Sequence, residues 1–156
     1  MSEKKKKSSS VLSPYLISEI SFNSVDSTYT VRNKNLIRDW VTLAIKREKK
    51  AIGEISFNFC SDEYLLSINK EHLSHDYYTD IITFDFCENG IISGDIYIST
   101  DRVKDNAKTE GKTIGNELNR VIIHGVLHLC GYKDKKPADA RLMREKEDFY
   151  LSLFAQ

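Results

Sequence analysis

The chain has 156 residues, with 23 basic and 23 acidic side chains, 40% hydrophobic and 29% charged residues. That is the length and composition of one globular domain with its own core. No apolar run is long enough to span a bilayer, and no apolar segment follows the N-terminal lysines as a secretory signal would require. The balanced charge gives no general pull toward nucleic acid. Residues 1–10 hold Lys4, Lys5, Lys6 and Lys7 against Glu3, so the remainder is mildly acidic and any contact with RNA must come from a local basic patch.

Residues 1–12 read as a disordered, solubilising basic tail, and residues 13–156 as a single domain. From Tyr15 to Thr30 the chain is β-prone, with Ile17, Ile20 and Phe22 suggesting one strand. Asn33 is placed to cap a helix to about Lys49, with Leu36, Ile37, Trp40, Val41, Ala44 and Ile45 as its buried face. Lys46, Arg47, Lys49 and Lys50 at its end complement the helix dipole, and they offer a patch for phosphate. Ile55, Phe57 and Phe59 alternate as a half-buried strand. Ser61 caps the next helix, with Asp62 and Glu63 in its first turn and Tyr64, Leu65, Ile68 and Leu73 as its apolar contacts.

A polar and aromatic loop around His72 and His75 leads to a strand over Asp80 to Phe86. Asn89-Gly90 is the signal of a tight hairpin, and the partner strand Ile91 to Ser99 places Ile92, Ile96 and Ile98 on one face. Gly94 on that face permits close approach of another backbone. A polar helix starts at Thr100 or Asp101, runs to about Lys108 and is broken at Gly111. Pro137 opens a last helix docked by Leu142, Met143, Phe149, Tyr150, Leu153 and Phe154. The predicted architecture is α+β, about four strands in one mixed sheet with helices packed against it.

The chemistry lies in the helix from about Thr113 to Cys130. Ile114, Leu118, Val121, Ile122, Gly125 and Leu129 form its apolar stripe, with His124 and His128 at the stripe's edge. Residues four apart lie on one helical face, so the two imidazoles can hold one metal ion. Gly131 ends the helix and returns the chain, bringing Asp134 back six residues after His128. Two histidines and one carboxylate with an open fourth position describe a catalytic zinc site at the end of a central helix, one ion per chain. Cys130 lies about 200° round the helix from His128 and faces away. With Cys60 and Cys87 it reads as a reduced thiol in a cytoplasm.

Hydrolysis is the natural reaction class for such an ion. A zinc peptidase would carry glutamate directly after the first histidine, whereas this chain has Gly125, so that mechanism lacks its base. The sequence itself identifies no proton-transfer residue. Glu117, two turns before His124, and Glu147 on the last helix read first as solvated charges, with a supporting role behind the metal ligands as the alternative. His72, His75 and Asp76 are poorly spaced for a second metal, and His75 reads better as a substrate contact.

The segment His124-Gly-Val-Leu-His128-Leu-Cys-Gly131-Tyr132-Lys-Asp134, followed by Met143 and Glu147, resembles the signature of the YbeY family, H-G-x-L-H-L-x-G-Y-D-H. The likeness extends back through Asn69, Asp76, Thr79-Asp80-Ile-Ile-Thr-Phe84 and Gly94-Asp95-Ile96. It implies a zinc-dependent endoribonuclease specific for single strands, acting in 3′-end maturation of 16S ribosomal RNA and in ribosome quality control. It also implies an α+β fold, a cytoplasmic location and single-stranded RNA, ribosomal RNA and the small ribosomal subunit as partners, with neither DNA nor a membrane expected.

Two departures from the family stand out. Asp134 replaces its usual third histidine, with Lys133 in place of the preceding aspartate, and Leu73 stands where an arginine facing RNA is common. The phosphate-stabilising role of that arginine is then either lost or moved to Lys70 or His75, with Thr79 as a further substrate contact. The alternatives are a zinc hydrolase acting on a non-RNA substrate and a ribosome-assembly factor whose metal is mainly structural.

Overall fold

A computed structural model describes residues 20–75 and 77–154. The elements in chain order are β1 (Ile20–Ser24), α1 (Lys34–Arg47), β2 (Ala51–Cys60), α2 (Asp62–Leu73), β3 (Ile81–Asp85), β4 (Ile91–Ser99), α3 (Thr100–Glu110), α4 (Ile114–Leu129) and α5 (Pro137–Leu153). The strands form one mixed sheet in the order β1-β2-β4-β3, so the architecture is α+β. β1 and β4 both run parallel to β2, and β3 pairs antiparallel with β4. The expected tail and Ile17 lie outside the described residues.

Alternation along the strands divides the side chains between two layers. Ile55, Phe57 and Phe59 of β2 and Ile92, Ile96 and Ile98 of β4 join the main core with α1, α4 and α5. On the other face α2 lays Leu65 and Ile68 over Cys60 and Ile82. Asn89 and Gly90 take positive φ, 52° and 77°, as a two-residue hairpin between β3 and β4 requires. A Cβ on Gly94 would stand 2.5 Å from the Phe84 carbonyl oxygen and 3.0 Å from Leu129, which explains the glycine.

Several expected boundaries and contacts shift. Asn33 adopts a left-handed conformation and makes no side-chain cap, and α1 ends at Arg47. α3 begins at Thr100, as expected, and Ser99 caps it by accepting from the Arg102 amide. Leu36, Leu73, Ile114, Leu142 and Phe149 are exposed although the helical pattern placed them inward. Each lies at the margin of an apolar stripe, where wheel periodicity is least decisive. The Ser61 cap is as expected, accepting from the Tyr64 amide.

Candidate metal centre

Among the described residues α4 is the best-buried helix, with Leu118, Val121, Ile122, Ile123, Val126, Leu127 and Leu129 all in the core. It lies against β3 and β4 through Gly125, where a Cβ would stand 2.9 Å from Ile81 and 3.2 Å from Ile96. Gly131, at φ 111°, ends the helix in a Schellman turn: its amide donates to the His128 carbonyl and the Tyr132 amide to that of Leu127. The return loop then delivers Asp134.

Three ligand atoms converge. The two Nε2 atoms lie 3.1 Å apart, and each lies 3.2 Å from Asp134 Oδ2. Around a tetrahedral zinc with bonds of about 2.0–2.1 Å, ligand atoms stand about 3.3 Å apart, so this group fits such an ion. It is the one metal-competent cluster among the described residues, and it excludes Cys130.

The other ring nitrogens are also engaged. His124 Nδ1 donates to Glu147 Oε2 at 2.6 Å, and His128 Nδ1 donates to the Tyr132 carbonyl at 2.9 Å. Those bonds fix the tautomer that leaves both Nε2 lone pairs facing Asp134. Glu147 is not a solvated charge: it is buried, its side chain only 5% exposed, and Arg120 donates to its Oε1 at 2.8 Å. Arg120 also bonds Asp148 at 2.8 Å, and Arg144 comes within 3.6 Å of Glu147. Burial alone would raise the Glu147 pKa, but His124 and Arg120 outweigh it and hold the carboxyl below the ordinary carboxylate range. Burial works to deprotonate His124, yet Glu147, and then Asp134 and Asp80, raise its pKa above the usual imidazole value.

His124 and Asp134 open into a hollow of about 340 Å³, also lined by Asp80, Asn106, Glu110, Glu117, Arg120, Val121, Arg144 and Glu147. Glu117 is buried rather than on the surface, and its Oε1 has no hydrogen-bond partner. Burial raises the pKa of both Glu117 and Asp80, with nearby Glu110 adding to the first and His124 opposing the second. In the sequence Asp80 stands out only as the start of a strand and as part of the Thr79-to-Phe84 segment, and Arg120 and Arg144 carry no local pattern.

Lys70, His75 and Thr79 do not line this hollow. Lys70 lies on α2 beside Glu63 and Glu71, and exposed His75 stacks on Tyr77 with ring centroids 5.1 Å apart. The Thr79 hydroxyl donates to the Ile81 carbonyl at 3.4 Å. Asn69 is buried, and its side-chain amide holds the Tyr77 carbonyl at 2.9 Å, anchoring the loop that leads to Asp80.

Comparison with known proteins gives one consistent answer. The family profile described as Endoribonuclease YbeY matches residues 19–155. A protein of that description from Cytophaga hutchinsonii is 53% identical over 135 residues, 86% of this chain and 94% of the relative. Another from Flavobacterium johnsoniae is 49% identical over 86% of this chain and 96% of its own length. A solution structure from Thermotoga maritima superposes with a TM-score of 0.57 at 26% identity, covering 85% of this chain and 87% of the other.

Proposed function

The chain belongs to the endoribonuclease YbeY family, and from that premise we propose that it is a zinc-dependent endoribonuclease processing ribosomal RNA in the cytoplasm, in association with the small ribosomal subunit. The observation that carries the reading is the convergence of His124, His128 and Asp134, with the far nitrogen of each imidazole tied to Glu147 or to the Tyr132 carbonyl. These three residues would hold the ion, and a bound zinc supplies a Lewis acid for a phosphoryl oxygen and a water acidic enough to ionise near neutral pH.

The protein's own groups take the remaining roles. Glu147 and the Tyr132 carbonyl orient the imidazoles, and Arg120 keeps Glu147 ionised. Arg144 reaches the same hollow with its side chain 55% exposed, so it is better placed to meet a phosphate beside the metal than Lys70 or His75. Thr79, next to Asp80 in the chain, is the nearest of the expected substrate contacts to the hollow in sequence. Asp80 lines the hollow with a carboxyl that burial biases toward its protonated form, which suits a group that carries a proton to or from the reacting oxygen.

Position 125 faces Ile81 and Ile96 in the core, so a general base of the peptidase type has no place there. The test is direct. Purified protein should carry about one equivalent of zinc and cleave single-stranded RNA, and both properties should disappear in His128→Ala and on chelation. Equal RNA cleavage by the wild type, the chelated protein and the variant would refute the assignment.

A further inference from the structure

The fold places together two basic runs separated by more than half the chain. One is Lys46-Arg47-Glu48-Lys49-Lys50, the end of α1 and the turn into β2. The other is Lys133-Asp134-Lys135-Lys136, the loop that returns from α4 and carries the third metal-ligand candidate. Glu48, at the centre of the first run, accepts a hydrogen bond at 2.6 Å from the hydroxyl of Tyr132, the residue immediately before the second. Lys146 of α5 completes the junction, bonding Glu48 at 3.0 Å and lying 5.4 Å from the centre of the Tyr132 ring. Tyr150 also donates to Glu48.

The acidic residue between the two runs is thus consumed internally, its side chain only 9% exposed, while the cations around it face outward. Lys46, Lys49, Lys133, Lys135 and Lys136 are exposed and Lys50 half-exposed. Among the described residues none of these six has a carboxylate within ion-pair distance. Uncompensated lysines gathered at one place form the local basic surface that a nearly neutral chain needs in order to hold a polyanion. The surface is continuous with the candidate centre, since Asp134 lines the metal hollow while Lys133 and Lys135 flank it in the chain.

We propose that this joined surface, the end of α1 with the Lys133–Lys136 loop, is the track along which the phosphate backbone of single-stranded RNA leaves the metal centre. The inference rests on the endoribonuclease reading and extends it to the path of the flanking nucleotides. Recognition is of phosphate charge, so the track holds RNA without regard to sequence. Its occupant is fixed by charge and by continuity with the hollow. The Tyr132–Glu48 bond makes the track and the ligand loop one unit, so nucleotides held on the lysines are held at a fixed place relative to Asp134.

The experiment uses full-length, zinc-loaded protein and a fluorescently labelled single-stranded RNA of about twenty nucleotides, with stopped-flow anisotropy reading binding before turnover. Each phosphate contact on a single strand contributes about 0.7 to the slope of log affinity against log salt. Replacing Lys49, Lys50, Lys135 and Lys136 with glutamine should lower that slope by about 2 to 3 and weaken binding at low salt by at least about tenfold. Each pair alone should produce part of the effect. Arg32→Gln with Lys34→Gln, at the other end of α1, should leave slope and affinity near wild type. Zinc content and the circular dichroism spectrum, compared across all variants, establish that the fold is intact.

A four-lysine variant that is folded and zinc-loaded but binds RNA like the wild type overturns the track. So does an equal loss in the Arg32 and Lys34 control, which would show only a diffuse charge effect. Binding of polyglutamate with no binding of RNA overturns it in favour of an acidic protein partner. If the wild type cleaves RNA and the lysine variants bind normally, the track fails and the nuclease reading stands. If the wild type binds RNA through these lysines but never cleaves it, the track stands and the nuclease reading fails.

Discussion

Two regions of this molecule carry paired histidines with an acidic residue nearby in sequence, yet they are built differently. In the segment after α2, His72 is 58% exposed and 3.8 Å from Glu71, while His75 is exposed and stacked on Tyr77. In the other region, His124 and His128 sit on a helix packed into the core, and each uses one ring nitrogen for a fixed partner and turns the second toward Asp134. What separates a metal centre from a polar loop is therefore the set of groups behind the imidazoles. His75 Nδ1 meets only the exposed Tyr77 hydroxyl at 3.0 Å, a partner that is itself mobile at the surface, whereas an imidazole tied to buried Glu147 or to a backbone carbonyl has already lost the orientational entropy that binding an ion costs.

That contrast can be broken most forcefully at its centre. His128→Ala should reduce bound metal from about one equivalent to near zero and RNA cleavage by on the order of a hundred- to a thousandfold, the scale of a lost Lewis acid. His75→Ala, measured by the same elemental analysis and the same assay, should keep its metal. Loss of metal from the His75 variant would erase the distinction. The third ligand comes next: Asp134→Ala should empty the site while Asp134→His retains the ion. An alanine variant with full metal content would place the ligand elsewhere.

A smaller effect tests the supporting groups alone. Glu147→Gln leaves all three ligands in place but removes the charge behind His124, and chelator competition should show metal bound about 10- to 100-fold more weakly. The weakest effect is expected furthest from the ion. Glu48→Gln should cost about 1–3 kcal/mol in urea unfolding, because Tyr132, Tyr150 and Lys146 all donate to that carboxylate.

Acid should sharpen the same contrast. Burial opposes ionisation of Glu48, Asp62 and Glu147, but their hydrogen-bonded donors prevail and all three pKa values are lowered by folding. Carboxyls lowered in this way stabilise the fold fully above their unfolded values and lose that contribution as pH falls through the folded ones. These three carboxyls should therefore make the urea midpoint of metal-free protein fall below about pH 4, whereas His124, Glu117 and Asp80, whose pKa values folding raises, add stability as pH drops from neutrality. Asp62→Asn, which removes the titrating charge paired with Arg102, should flatten part of that fall. An unchanged midpoint at pH 3 would contradict these shifts.

The fold was legible wherever the pattern was periodic and buried on one side. Ile55, Phe57 and Phe59, Asn89-Gly90 and the Ser61 cap all sit as read. Helix margins were not, because Leu36, Ile114 and Leu142 have the same character as their buried neighbours and only tertiary contact decides their side. The ligand candidates were legible because His124, His128 and Asp134 are local in the chain. Of the groups behind them, Glu147 was legible only as an alternative to a solvated charge, and Glu48 not at all, since they lie 23 residues from His124 and 84 from Tyr132. A buried glutamate looks the same as a solvated one until its donors are known.

Gly125 has a consequence for the range of chemistry open to this scaffold. Helical zinc hydrolases of the peptidase type place their base at the residue following the first histidine. Here that residue faces Ile81 and Ile96, so a methyl group would make the Ile81 side chain shift, and a glutamate would need to be buried as a charge among isoleucines. The single substitution that would be shortest on paper is therefore opposed by the cost of burying a charge. Descendants of this fold can vary the third ligand on its loop, but they reach amide hydrolysis only by bringing a base from outside α4.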